Sequence, residues 1–202
     1  MNDSNRPIAL PALQEHVGLR APILFAGVIL VTFGFTYSLL GTMIGALTFP
    51  KQAAGSLVHD GARVVGSEWV AQPFKDDRFF VARPSAANYD PMAAAGSNMA
   101  RSNPDLQKRI ASTIAEVAAR EGVPPADVPA DLATQSGSGL DPHISPAAAR
   151  IQVARVARAR GMTEDVVQAV VDRQTQGPQF GFLGPSRVDV LQLNLALDAA
   201  QR

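Results

Sequence analysis

The chain reads as an α+β protein: one N-terminal transmembrane helix, then a single soluble domain with a small β-sheet and three to four helices. Three observations predict this. Ala21 to Pro50 is a run of thirty residues without a charge. Asp60-Gly61 lies between two short β-prone runs, a hairpin signal. Asn103-Pro104 and Ser145-Pro146 each set a capping side chain before a proline, the pattern of a helix start. The expected organisation is a short tail over 1–20, a transmembrane helix over 21–49, and an extracytoplasmic α+β domain over 50–202.

A bilayer core about 30 Å thick needs roughly 20 apolar residues in a helix, so the run is long enough to span and tilt. A cleaved signal peptide is the competing reading. The run is about twice the usual length of a signal core. Asp3, Arg6, Glu15 and Arg20 make the preceding segment mixed in charge, not simply basic. A retained anchor is the better reading. Within it, Gly27, Gly34 and Gly41 fall seven apart, and Ser38 and Gly45 fill the same helical face. Helices associate in lipid by close packing, which small residues permit. Glycine is also simply common in such helices. The stripe favours a partner helix and leaves open whether that is a second copy or another protein.

Composition narrows the function classes. The 202 residues carry 18 basic and 18 acidic side chains, and setting aside Arg6, Arg20, Asp3 and Glu15 leaves 16 of each after the span. That balance argues against a nucleic-acid footprint or a broad electrostatic funnel for ions. With no cysteine, disulfides, zinc–thiolate sites and a thiol nucleophile are excluded. Arg6 and Arg20 before the span against Lys51 and Arg63 after it decide orientation weakly, and the amino terminus is placed inside.

In chain order, Pro7 and Pro11 sit in an aperiodic tail, and the hairpin over 55–66 comes after the span. Glu68-Trp69-Val70 is expected to extend the sheet, and Arg78 to Arg83 reads as a further strand stopped by Pro84. Residues 86–103 form a loop. A helix with Leu106, Ile110, Ile114, Val117 and Ala118 on its buried face runs to about Gly122. Val128 to Asp141 is loop or short strand. A helix follows over about 146–160, on which Arg150, Arg155, Arg158 and Arg160 read as a solvated or partner-facing surface. Thr163 caps a third helix whose first turn carries Glu164 and Asp165. A turn-rich link leads to Val188-Asp189-Val190, a short strand passing into a helix.

No catalytic constellation emerges from the motifs. Ser136-Gly137-Ser138-Gly139 lacks the Gly-Lys-Ser/Thr ending of a Walker loop and the spacing of a dinucleotide fingerprint. Three histidines without ligand spacing make a metal site improbable, so none is expected. Ser136 or Ser138 with Asp141 and His143 imitates a hydrolase triad but lacks a nucleophile elbow, and Asp-Pro-His reads better as a turn into the capped helix. Arg83 is read as pairing with a nearby carboxylate or contacting a partner, and Trp69, Phe79, Phe80, Phe180 and Phe182 as core or partner contacts. A membrane-tethered hydrolase and a self-associating structural anchor remain as rival classes.

These fragments resemble the C subunit of the bacterial high-affinity potassium-transporting P-type ATPase, the Kdp system. The resemblance rests on the apolar span, Gly55-Ser56-Leu57, Gln72-Pro73-Phe74, and Phe80 with Arg83-Pro84-Ser85-Ala86. It continues in Gly96-Ser97-Asn98, Ser102-Asn103-Pro104, the block Thr134 to Ala149, and Arg187-Val188 with Leu191 to Asp198. Small departures fall at Val81-Ala82, Ala94-Ala95 and Ala100-Arg101. The resemblance implies an accessory subunit of the inner membrane that works with a potassium-channel-like subunit, an ATP-hydrolysing subunit and a small hydrophobic one. It implies a role in assembly and as a catalytic chaperone raising the ATPase subunit's affinity for ATP, with potassium carried by the partner. No cofactor of its own is implied, and the loop Gln135 to Gly139, flanked by Asp141 and His143, is there a proposed nucleotide or partner contact. A domain outside the membrane cannot touch cytosolic ATP, so the effect would be allosteric.

Overall fold

A computed structural model describes residues 18–201, so residues 1–17 of the expected tail over 1–20 lie outside the described residues, and Arg20 already opens the helix. The chain divides into two compact units, with the second beginning at Ala54. In the first, Arg20–Thr48 forms one apolar helix, α1, roughly 43 Å long at about 1.5 Å per residue. It is a candidate membrane span. Within it Leu30–Thr36 winds more widely than an α-helix, and the Tyr37 N–H reaches back five residues to the Thr32 carbonyl. Gly34 lies inside that wide turn. The Thr36, Thr42 and Thr48 hydroxyls return to carbonyls of their own helix at 2.7–2.9 Å, so none needs a partner outside it.

The second unit is α+β. A hairpin, β1 (Leu57–Asp60) and β2 (Arg63–Ser67), turns at Asp60-Gly61 with Gly61 at φ +60°. The first long helix, α2 (Pro104–Glu121), begins where Asn103 accepts the Asp105 N–H and ends where Gly122 takes a left-handed φ of 69°. A short helix, α3 (Ala130–Ala133), and β3 (His143–Ile144) lead to α4 (Pro146–Arg160), which Ser145 caps by accepting the Ala148 N–H. Thr163 precedes α5 (Glu164–Gln174) but makes no side-chain cap bond. β4 (Thr175–Gln176), β5 (Arg187–Asp189) and α6 (Val190–Gln201) complete the chain, and β5 lies between β3 and β4, antiparallel to both.

Small and branched residues build the core. Ala148, Ala149, Val153, Val156 and Ala157 on α4 face Val167, Val170 and Val171 on α5 and Leu193 and Leu197 on α6, all buried. Alanine at the contact lets the helices approach closely. Phe80 is the largest fully buried side chain, and burying a side chain of that kind contributes roughly 1.5–3 kcal/mol.

Four expectations are corrected. Residues 78–83 form no strand: Arg78 and Phe79 lie in a turn and a bend, 80–83 join no ladder, and side chains satisfy their backbone. Asn194 on α6 takes the Phe80 N–H at 2.8 Å and gives an N–H to its carbonyl at 3.0 Å. Gln152 on α4 does the same for Val81, at 2.9 and 3.3 Å. Arg155 donates to the carbonyls of Asp77 and Phe79, and Arg160 to that of Arg78. Arg155 and Arg160 are therefore buried, not solvated, while Arg150 and Arg158 are exposed. Their charges are met by Glu121 at 2.9 Å and Asp198 at 2.7 Å. Glu68–Val70 turns away after a single bridge from Ser67 to Val70 and does not extend the sheet. The stretch expected as loop or short strand, 128–141, holds α3, whose Leu132 and Ala133 are buried.

Candidate functional site

The clamped segment 77–81 delivers Arg83 to the block 134–149. Arg83 Nη1 donates to Asp141 Oδ2 at 3.1 Å, and its Nη2 lies 3.5 Å from the Thr134 hydroxyl. Asp141 Oδ1 accepts the His143 backbone N–H at 3.0 Å, and His143 Nδ1 stands 3.4 Å away. Burial pushes the Asp141 carboxyl up, but the bonds from His143 and Arg83 outweigh it and hold it below the usual range. Arg83, Asp141 and His143 thus form one partly exposed charge cluster. His143 also pairs across β3–β5 with Asp189, and the Trp69 ring meets its imidazole edge-on, centroids 6.1 Å apart. Asp189 is buried, which pushes its carboxyl up even though the Gln192 N–H, donated at 2.8 Å, opposes the shift.

The glycine-rich loop is closed against its neighbours. The Ser136 N–H bonds the Pro84 carbonyl at 3.2 Å, and the Ser85 hydroxyl donates to the Gly139 carbonyl at 2.6 Å. That hydroxyl also accepts the Ala87 and Tyr89 N–H groups, making Ser85 the hub of the turn. A Cβ at Gly96 would stand 2.7 Å from the Gly137 carbonyl oxygen, and one on Gly139, at φ +71°, 2.8 Å from that of Ala95. These two glycines are required because backbone meets backbone. A phosphate cradle needs N–H groups aimed at an open hollow. Here the N–H groups of Ser136, Gly139 and Leu140 bond Pro84, Ser136 and the Ser138 hydroxyl respectively. Among the described residues the Ser136 hydroxyl is buried with no partner, and neither serine hydroxyl bonds His143. Buried Gln135 Oε1 and Arg83 Nε likewise have no hydrogen-bond partner.

Of the residues singled out from sequence, Arg83, Asp141 and His143 come together, with Gln135 to Gly139 packed behind them on residues 84–96. The stripe Gly27, Gly34, Ser38, Gly41 and Gly45 lies apart on α1. Among the described residues a Cβ on Gly27, Gly41 or Gly45 would meet nothing within 4 Å. Among the described residues no group of three or more His, Cys, Asp or Glu is placed to hold a metal ion. Sequence reasoning gave no role to Tyr89 or Asp131, and Ser85 and Arg187 entered it chiefly through the family resemblance. Pro84-Ser85 before Asn88-Tyr89 was a serine-turn signal, and Asn88 and Tyr89 do take left-handed φ values of 51° and 60°. Asp131 binds both the N–H and the hydroxyl of Ser145, a contact no local spacing announces.

One candidate membrane span followed by an α+β domain with a closed polar block is the layout of an anchored subunit. Comparison with known proteins gives the particular family. The family K+-transporting ATPase, c chain, KdpC, matches residues 19–199, and the chain belongs to it. A potassium-transporting ATPase KdpC subunit from Xanthomonas oryzae pv. oryzae is 57% identical over 188 residues, covering 93% of this chain and 90% of that one. Its counterpart in Xanthomonas axonopodis pv. citri is 58% identical over 189 residues, 93% and 92% of the two chains. The KdpC subunit of Shewanella putrefaciens is 50% identical over 182 residues, 90% and 89% of the two chains.

Proposed function

We propose that this chain is a non-catalytic accessory subunit of a potassium-transporting ATPase assembly, anchored in the inner membrane by α1 with its amino terminus inside and its domain outside. The observation that carries this reading is the family match across residues 19–199. Its partners are a channel-like subunit that carries the potassium, an ATP-hydrolysing subunit and a small hydrophobic one. The chain serves assembly and raises the affinity of the hydrolysing subunit for ATP. The closed packing of Gln135 to Gly139 supports coupling through partner contacts over direct ATP binding.

Docking in the bilayer is assigned to the small-residue stripe on α1. Gly41→Leu with Gly45→Leu is expected to release the chain from the complex in mild detergent. Recovery of intact complex by affinity purification would refute the stripe as the docking face. The side of the membrane is testable because the chain has no cysteine. A Ser138→Cys variant is expected to react with an impermeant maleimide added outside intact cells, since Ser138 is exposed. Labelling only after the cells are opened would place the domain inside and reopen direct nucleotide contact.

A further inference from the structure

Between β4 and β5 the chain projects a finger. Residues 177–186 carry no charge, and at their tip Phe180, Phe182 and Leu183 are 79%, 80% and 54% exposed. Such exposure of two adjacent aromatics differs from the scattered apolar residues of an ordinary surface. The finger is held in one shape. Gln179 and Leu183 exchange both backbone hydrogen bonds at 2.9 Å, and the Gly181 N–H closes on Pro178 at 3.0 Å. Phe180 sits at φ 55°, in the left-handed region that a bulky side chain rarely adopts. At its base, Arg187 lines a cleft of about 440 Å³ together with Arg83, Asp141 and His143. Among the described residues the Arg187 guanidinium has no ion pair or hydrogen bond. Because β5 pairs with both β3 and β4, the finger and His143 of the cluster are joined through one small sheet.

We infer that this finger is a plug for another polypeptide of the ATPase complex, which offers an apolar socket for Phe180 and Phe182 and a carboxylate for Arg187. The inference rests on the accessory-subunit reading and names one surface by which it works. Fluid acyl chains accept an aromatic ring in any orientation, so a lipid contact gains nothing from a strained, doubly bonded loop. A fixed socket does gain from it, because the ordering cost of the loop is met before binding. The unpaired cation at the base complements a carboxylate, and buried aromatic anchors with arginine dominate protein interfaces.

The test uses the full chain expressed with its complex and purified through a tag on a different subunit. Phe180→Ala with Phe182→Ala is expected to lower retention of the chain through detergent washing by about tenfold or more. Its unfolding midpoint is expected to stay unchanged, because neither ring packs in the core. In a separate Phe182→Cys variant carrying a benzophenone maleimide, ultraviolet light is expected to form an adduct with one other polypeptide of the complex. Unchanged retention of the double variant, or adducts only with lipid or with a second copy of this chain, overturns the plug. Should the unsubstituted chain itself fail to co-purify, the accessory-subunit reading falls too; retention of that chain with equal retention of the double variant rejects the plug alone.

Discussion

Asn194→Leu is expected to lower the unfolding free energy by about 2–6 kcal/mol, the cost of leaving two buried backbone groups unpaired at about 1–3 kcal/mol each. Leucine has nearly the same shape, so the change isolates hydrogen bonding from packing. Asn194 is 2% exposed and Phe80 0%, so water cannot replace the lost amide without opening the core. Domains of this size are stable by roughly 5–15 kcal/mol, which makes this a large fraction of the whole. Urea unfolding followed by circular dichroism reads it. A loss under about 0.5 kcal/mol, the scale of an ordinary surface substitution, would show that the amide clamp contributes nothing. Asn194→Asp keeps an acceptor for the Phe80 N–H but sets a carboxylate against its carbonyl, and is expected to unfold at least as easily.

Arg155→Met is expected to cost about 3–5 kcal/mol, the usual penalty for removing one partner of a buried ion pair. The Glu121 side chain is wholly buried and would keep its charge facing only Arg120 at 2.6 Å. Arg155 also serves the carbonyls of Asp77 and Phe79 and the Gln152 amide oxygen. Adding Glu121→Met is therefore expected to recover part of the loss and not all of it. A double-substitution cycle separates the two contributions. Full recovery would show that the carbonyl contacts are without effect, and no recovery would show the same of the ion pair.

The elements whose cause is local were legible in the sequence. Asp60-Gly61 announces its turn, Asn103 and Ser145 their helices, and Gly122 and Gly161 the helix ends, because each acts on its own backbone. The passage from strand to helix at Val190 was legible for the same reason. Residues 78–83 were not, since a short apolar run reports burial and not what satisfies the backbone. Asn194 and Gln152 stand 114 and 71 positions from the groups they bond, and no short spacing encodes that. Arg155 and Arg160 looked like surface because arginine on a helix usually is; their acceptors are carbonyls of that distant segment. At the site, Asp141 and His143 were legible as neighbours, whereas the Arg83 contact crosses 58 positions and the Asp131 contact with Ser145 crosses 14.

The amide clamp on Phe80 also sets a clock. Synthesis at about 5–20 residues per second means that roughly 6–23 s pass between the emergence of Phe80 and that of the residue 114 positions later that completes its backbone pairing. Until Gln152 emerges, 71 positions after Val81, Phe79-Phe80-Val81 has no side-chain partner from α4, and until Asn194 emerges Phe80 has none from α6, so it remains an apolar, pairing-competent segment. The order of the chain thus leaves its most deeply buried aromatic waiting on a helix made long afterwards, so the growing polypeptide must be kept from associating until α6 arrives.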